Sequence, residues 1–139
     1  MKEEPIRFLS LDNVLRIHDD TLANEGGMPG IRDWGLLQSA IEMPRAMFAG
    51  EYLPRGMAAM AAATLFHLCQ NHAFVDGNKR AAAFAAVLFL ALNGVPDDAL
   101  PLEEELRDVT LAVASGAASK NALAAWFRGL GIGEAGQGL

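Results

Sequence analysis

The strongest constraint on this chain is a run of twelve residues, Ala81 to Leu92, in which every side chain is apolar. A membrane-spanning helix needs about 20 such residues, so the run is too short to cross a bilayer and reads as a core element. Alanine fills positions 81, 82, 83, 85, 86 and 91, which favours helix over strand. A helix that is apolar all round has to be buried all round, so the remaining segments must pack as a shell about it. Asn93-Gly94 supplies a left-handed cap at its end, and Pro96 blocks continuation.

The shell reads as further helices. Ser10 precedes Leu11 to Ala23, an amphipathic helix with Leu11, Val14, Leu15 and Leu22 on its apolar side; it ends near Gly26-Gly27 and leaves His18 at the surface or half-buried. Asp33 is placed to cap Trp34 to Met43, with a supporting role at a site as the alternative; Arg32 has no assignment. Pro44 to Pro54 is too broken for a helix and suits a short hairpin or flap. Gly56 to Asn71 is a third helix, nearly as apolar as the central one. Pro101 fits the first turn of a helix reaching about Ser115, with Glu103, Glu104 and Glu105 at the positive end of its dipole. Ser119 caps a last helix, Lys120 to Leu130, and residues 131–139 read as a flexible tail. The expected architecture is an all-α, single-domain bundle of about six helices over residues 1–139, with a flap between the second and third.

Composition narrows the function. The 139 residues carry 11 Lys and Arg against 17 Asp and Glu, a net charge of −6, so nucleic-acid binding and polybasic membrane docking are not expected. Cys69 is the sole cysteine, which excludes an internal disulfide and suits a small buried hydrophobe. The first ten residues hold two acids and no apolar stretch, so they do not read as a secretory signal, and a cytoplasmic location is expected. His67 and His72, five apart with no third ligand, make a poor zinc site. Gly131, Gly133 and Gly136 match a dinucleotide fingerprint in spacing alone, with no strand before them.

Chemistry concentrates between the third and fourth helices, in His72-Ala73-Phe74-Val75-Asp76-Gly77-Asn78-Lys79-Arg80. The first N–H groups of a helix lack internal partners and face the positive end of its dipole, which makes the start of the apolar helix an anion site. Gly77 permits close backbone approach, and Lys79 and Arg80 add cations in an otherwise acidic chain, so phosphate is the reasonable anion. An imidazole can accept a proton from a hydroxyl near neutral pH, which suits His72. A carboxylate beside phosphates can hold Mg2+, which suits Asp76. Phe74 points into the core and pins the loop.

This nine-residue segment resembles the signature of the Fic/Doc superfamily, and Lys79 before Arg80 resembles its death-on-curing (Doc) toxin branch. The similarity extends through FLSLDNVLRIHDD and PGIRDWGLLQSAI to LALNG, covering residues 8–94. The resemblance implies an ATP-dependent transferase acting on a protein hydroxyl. It assigns His72 as general base and Asp76 as the Mg2+ carboxylate. Gly77 and Asn78 would form the anion hole, with Lys79 and Arg80 on the nucleotide phosphates. Phe48, Ala49, Gly50, Glu51 and Tyr52 would be the flap that aligns an extended target segment by strand addition. Doc toxins phosphorylate a threonine of elongation factor Tu, arrest translation, and are silenced by a Phd-like antitoxin.

Two positions depart from the Fic pattern: Ala73 stands where most Fic enzymes have Pro, and Lys79 where they have Gly; Gly77 stands where Doc commonly has Ala. Lysine in place of glycine adds bulk and charge where the α-phosphate of a nucleotidyl donor would sit, which favours transfer of the γ-phosphate. AMP transfer is the first alternative, and a catalytically silent module that binds an antitoxin is the second. Thr21 to Gly26 also matches the [ST]xxxE[GN] pattern by which some Fic proteins inhibit themselves; here it reads as the end of the first helix.

Overall fold

The computed structural model describes residues 5–133 and is helical almost throughout. Six α-helices follow in order: α1 (Leu11–Glu25), α2 (Trp34–Glu42), α3 (Met57–Gln70), α4 (Asn78–Leu92), α5 (Glu103–Ala114) and α6 (Lys120–Gly129). A hairpin of β1 (Met47–Phe48) and β2 (Glu51–Tyr52) lies between α2 and α3, as the two prolines of that segment implied. It pairs Met47 with Tyr52 and Phe48 with Glu51, and its turn residues Ala49 and Gly50 both have positive φ (53° and 82°), the geometry that matches strand twist in a two-residue turn.

The caps explain where the helices start. Ser10 accepts from the Asn13 N–H at 3.1 Å, Asp33 from Leu36 at 2.9 Å and Ser119 from Ala122 at 3.0 Å. Asp33 is thus a helix cap. Pro101 lies two residues ahead of α5 instead of in its first turn, because the cap position falls on Leu102.

The core is the seam between α3 and α4. Ala61 and Ala62 on α3 and Ala82, Ala85 and Ala86 on α4 have no accessible surface, and side chains this small let the two helix backbones approach closely. α3 also packs along α6, and α1 and α5 flank α4. Leu65, Phe89, Leu90 and Phe127 fill the space beside the alanines. α4 is not covered on every side: Phe84 and Leu92 are 38% and 37% exposed. The expectation of complete burial fails at Phe84 because α4 lines an open cavity there, and at Leu92 because it is the last residue of the helix. Of residues 131–139, Ile132 is buried against the core and donates to the Phe127 carbonyl, while 134–139 lie outside the described residues. Among the described residues no helix is long and apolar enough to cross a membrane.

One polar tie crosses the apolar seam between α3 and α6. The Lys120 ammonium donates to His67 Nε2 at 3.0 Å. Burial of the ring, with a smaller push from Lys120, lowers the His67 pKa from 6.5 to about 4. The unfolded chain takes up a proton near pH 6.5 that the folded chain refuses until about pH 4, so the native state loses stability as pH falls through that window. A His67→Gln variant keeps an acceptor for Lys120 without titrating; its unfolding free energy in urea should fall less steeply than that of the parent between about pH 6.5 and 4. An Ala82→Leu variant forces the α3–α4 seam apart and should lose about 1–3 kcal/mol in the same assay.

Candidate active site

The loop that joins α3 to α4 is built by two devices, one at each side. From behind, residues 30–33 run antiparallel to it: Val75 donates to the Gly30 carbonyl at 3.0 Å, Arg32 and Asp33 both donate to the Ala73 carbonyl (2.7 and 3.1 Å), and Ile31 and Phe74 form an isolated bridge. From within, the Asn78 side chain closes the loop on itself, accepting from the Phe74 N–H at 3.0 Å and donating to the Phe74 carbonyl at 2.9 Å. Phe74 is buried, and the His18 ring stacks flat on it at 3.7 Å between centroids and 7° between planes.

His18 is 4% exposed, so it is neither at the surface nor half-buried as its place in an amphipathic helix implied. Its Nε2–H donates to the Asp76 carbonyl at 2.7 Å, which satisfies the buried ring. Nothing local in α1 signals this contact, because both partners lie on the motif loop 56 to 58 residues away.

Asp76 is fixed at its carboxylate as well. Met28 and Gly77 N–H groups donate to Oδ2 and Oδ1 at 3.2 and 2.9 Å. Each oxygen keeps a further lone pair, so the carboxylate can still accept a hard cation. No group of three or more metal-binding side chains occurs among the described residues. One carboxylate fits Mg2+ that is otherwise held by phosphates and water.

Gly77 caps α4 in the left-handed region (φ 79°, ψ 16°) with no side-chain cap, and the first intrahelical bond runs from Ala81 N–H to the Gly77 carbonyl at 3.0 Å. The N–H groups of Asn78, Lys79 and Arg80 are thus the unpaired donors of the helix start. The Asn78 side-chain oxygen and one of its two amide hydrogens are engaged with Phe74, which leaves its backbone N–H and one amide hydrogen, and the Gly77 N–H already meets Asp76.

His72, Asp76, Gly77, Asn78, Lys79 and Arg80 all line one cavity of about 380 Å³. Its far wall comes from α5, including Leu106, Arg107 and Leu111, and Phe84 of α4 completes an apolar side. His72 itself is exposed and holds a left-handed backbone (φ 49°), a conformation that costs a non-glycine residue about 1–3 kcal/mol and is found where a site demands it. The hairpin residues Phe48, Ala49, Gly50, Glu51 and Tyr52 do not line the cavity; Phe48 is 74% exposed, and Tyr52 packs edge-on against Phe8.

The charge of the cavity differs from the simple positive pocket implied by Lys79-Arg80. Arg107, a residue that no sequence motif singled out, adds a third cation, but Glu25, Asp76 and Glu103 face the same space. Glu25 grips Arg80 with both oxygens, at 2.6 Å to Nε and 2.7 Å to Nη2, and Glu103 makes a longer contact of 3.4 Å. Glu25 does end α1, as its sequence implied, and also reaches across to α4. Burial raises the pKa of the nearby Cys69 thiol, with Lys79 opposing part of that rise, which leaves a protonated core residue.

A model of the Fic/DOC family matches residues 8–90, and the chain belongs to that family. It is 33% identical over 125 residues to the protein named Protein kinase doc of Escherichia phage P1, an alignment covering 90% of this chain and 96% of that one. It is also 49% identical over 71 residues to Toxin Doc of Mycolicibacterium smegmatis, covering 50% of this chain and 54% of that protein.

The bidentate Glu25–Arg80 pair occupies Nε and one Nη2 hydrogen and so competes with any anion for Arg80. A Glu25→Gln variant should bind tripolyphosphate several times more tightly than the parent by isothermal titration, and equal affinities would show that Arg80 does not contribute to anion binding.

Proposed function

We propose that this chain is a Doc-like toxin that transfers the γ-phosphate of ATP to a protein hydroxyl. The observation that carries the reading is the convergence of His72, Asp76 and the uncapped start of α4 on one cavity. The kinase named among its relatives supports the choice of reaction.

His72 accepts the proton of the target hydroxyl as that oxygen attacks the γ-phosphorus, and the bond from phosphorus to the β–γ bridging oxygen breaks to release ADP. The N–H groups of Asn78, Lys79 and Arg80, with the Lys79 ammonium, hold and neutralise the phosphates. Asp76 would hold Mg2+, which supplies charge neutralisation between the phosphates. Lys79, in place of the glycine of nucleotidyl-transferring relatives, crowds the position of an α-phosphate donor and favours γ-transfer. The hairpin lies outside the cavity walls and has unpaired backbone edges with which an extended target segment can pair. By family resemblance the acceptor is a threonine of elongation factor Tu, and a Phd-like antitoxin silences the toxin in the cytoplasm.

Purified elongation factor Tu incubated with the protein and ATP labelled at either the α or the γ position should take label from the γ position only, and His72→Ala should abolish it. Label from the α position alone would replace phosphorylation by AMP transfer. No label from either, with wild-type binding of an antitoxin, would make the chain a silent binding module.

A further inference from the structure

The left-handed backbone of His72 is held by a residue on another element. Arg32, in the segment between α1 and α2, sends its side chain beneath the end of α3: Nε donates to the His72 carbonyl at 2.6 Å and Nη2 to the Asn71 carbonyl at 3.1 Å. The backbone N–H of the same residue donates to the Ala73 carbonyl at 2.7 Å. One residue therefore engages three consecutive carbonyls, with His72 in the middle.

Each of these contacts has a physical reason. The last carbonyls of a helix have no donor within it and lie at the negative end of its dipole, so a cation with several N–H groups is their natural complement. Asn71 is the C-cap of α3, and its side-chain amide is itself tied to the Leu36 carbonyl at 2.9 Å. When the backbone turns left-handed at His72 (φ 49°), its carbonyl leaves the helical direction, and the rigid guanidinium fork receives it there together with its neighbour. Among the described residues no hydrogen bond to the His72 ring competes with this arrangement, and the left-handed backbone sets the direction in which Cβ leaves the chain, with His72 on the cavity wall.

We infer that Arg32 is a positioning residue, whose guanidinium locks the left-handed turn at His72 and so aims the imidazole into the cavity. The inference rests on the reading of His72 as the proton acceptor. Arg32 is exposed, and the backbone pairing of residues 30–33 with the loop does not involve its side chain, so removing the guanidinium spares both the core and that pairing. A lysine at this position offers one compact donor group where the fork offers two in a plane, and it can satisfy His72 or Asn71 but not both in the same way.

The test compares the full-length parent with Arg32→Ala, Arg32→Lys and His72→Ala, using label transfer from γ-labelled ATP to elongation factor Tu, thermal midpoints, and a crystal structure of Arg32→Ala. Arg32→Ala should lower kcat roughly a hundredfold while KM for ATP and the thermal midpoint stay near the parent values. Arg32→Lys should recover part of the loss, and added ethylguanidinium should restore activity to Arg32→Ala but not to His72→Ala. In the crystal, His72 should leave the left-handed region. Unchanged kcat in Arg32→Ala, a loss confined to KM, or a left-handed His72 without the guanidinium overturns the inference while leaving the role of His72 intact. Full transfer by His72→Ala, or none by the parent, overturns the reading on which it rests, and the crystal structure alone then decides whether Arg32 sets the backbone of residue 72.

Discussion

Close contact between two alanine-lined helices organises this molecule. α3 and α4 form the most extensive helix pair in the fold, and each carries several alanines with no accessible surface, small side chains that allow close packing and leave little freedom in the distance between them. The chain leaves α3 at Asn71 and re-enters helix at Asn78, so the seam fixes both ends of the loop that carries the motif. A loop so anchored can be shaped by a few hydrogen bonds, and residues 30–33, Asn78 and His18 supply them. The apolar interior thereby acts on the chemistry, since the positions of His72 and Asp76 depend on two helices that contribute few charged groups of their own.

The electrostatics of the site follow from how its charges are paired more than from their sum. The cavity of an acidic chain gathers the dipole of a helix start, unpaired N–H groups and three cations, yet three carboxylates share it. Exchange between partners is the natural behaviour of such a site. Arg80 is held by Glu25 from α1 and more loosely by Glu103 from α5, so the guanidinium is already oriented, over the Phe84 ring at 5.5 Å, before any anion arrives. Any anion that enters meets a donor fork whose direction is already set by carboxylates.

Local pattern revealed the helices, the hairpin and the motif loop because each depends on neighbours in sequence: alanine content and caps for α4 and α1, two prolines around the hairpin, glycine at the start of α4. Contacts across the chain were not legible. His18 looked like a residue of an amphipathic surface, and its burial comes from Phe74 and Asp76 far along the chain. Glu25 looked like a helix end, and Arg107 belongs to no motif; only the placement of both helices beside α4 brings them to the cavity. Asn78 shows the converse. Its motif position suggested contact with an anion, and beside that its side chain bonds both backbone groups of Phe74, a use of asparagine that spacing alone does not reveal.

The turn after α1 passes very close to Asp76. A Cβ added to Gly27 would lie 3.0 Å from Asp76 Oδ2 and 2.9 Å from Leu22 Cδ2, on a backbone with φ of 121° that L side chains rarely adopt. The carboxylate is thus seated against bare backbone, with Met28 N–H as the next donor along. This ties two distant stretches of sequence together: any residue but glycine at position 27 presses on both the acid and the Leu22 side chain. An unremarkable glycine between two helices thus shapes the seat of the motif's carboxylate from outside the motif.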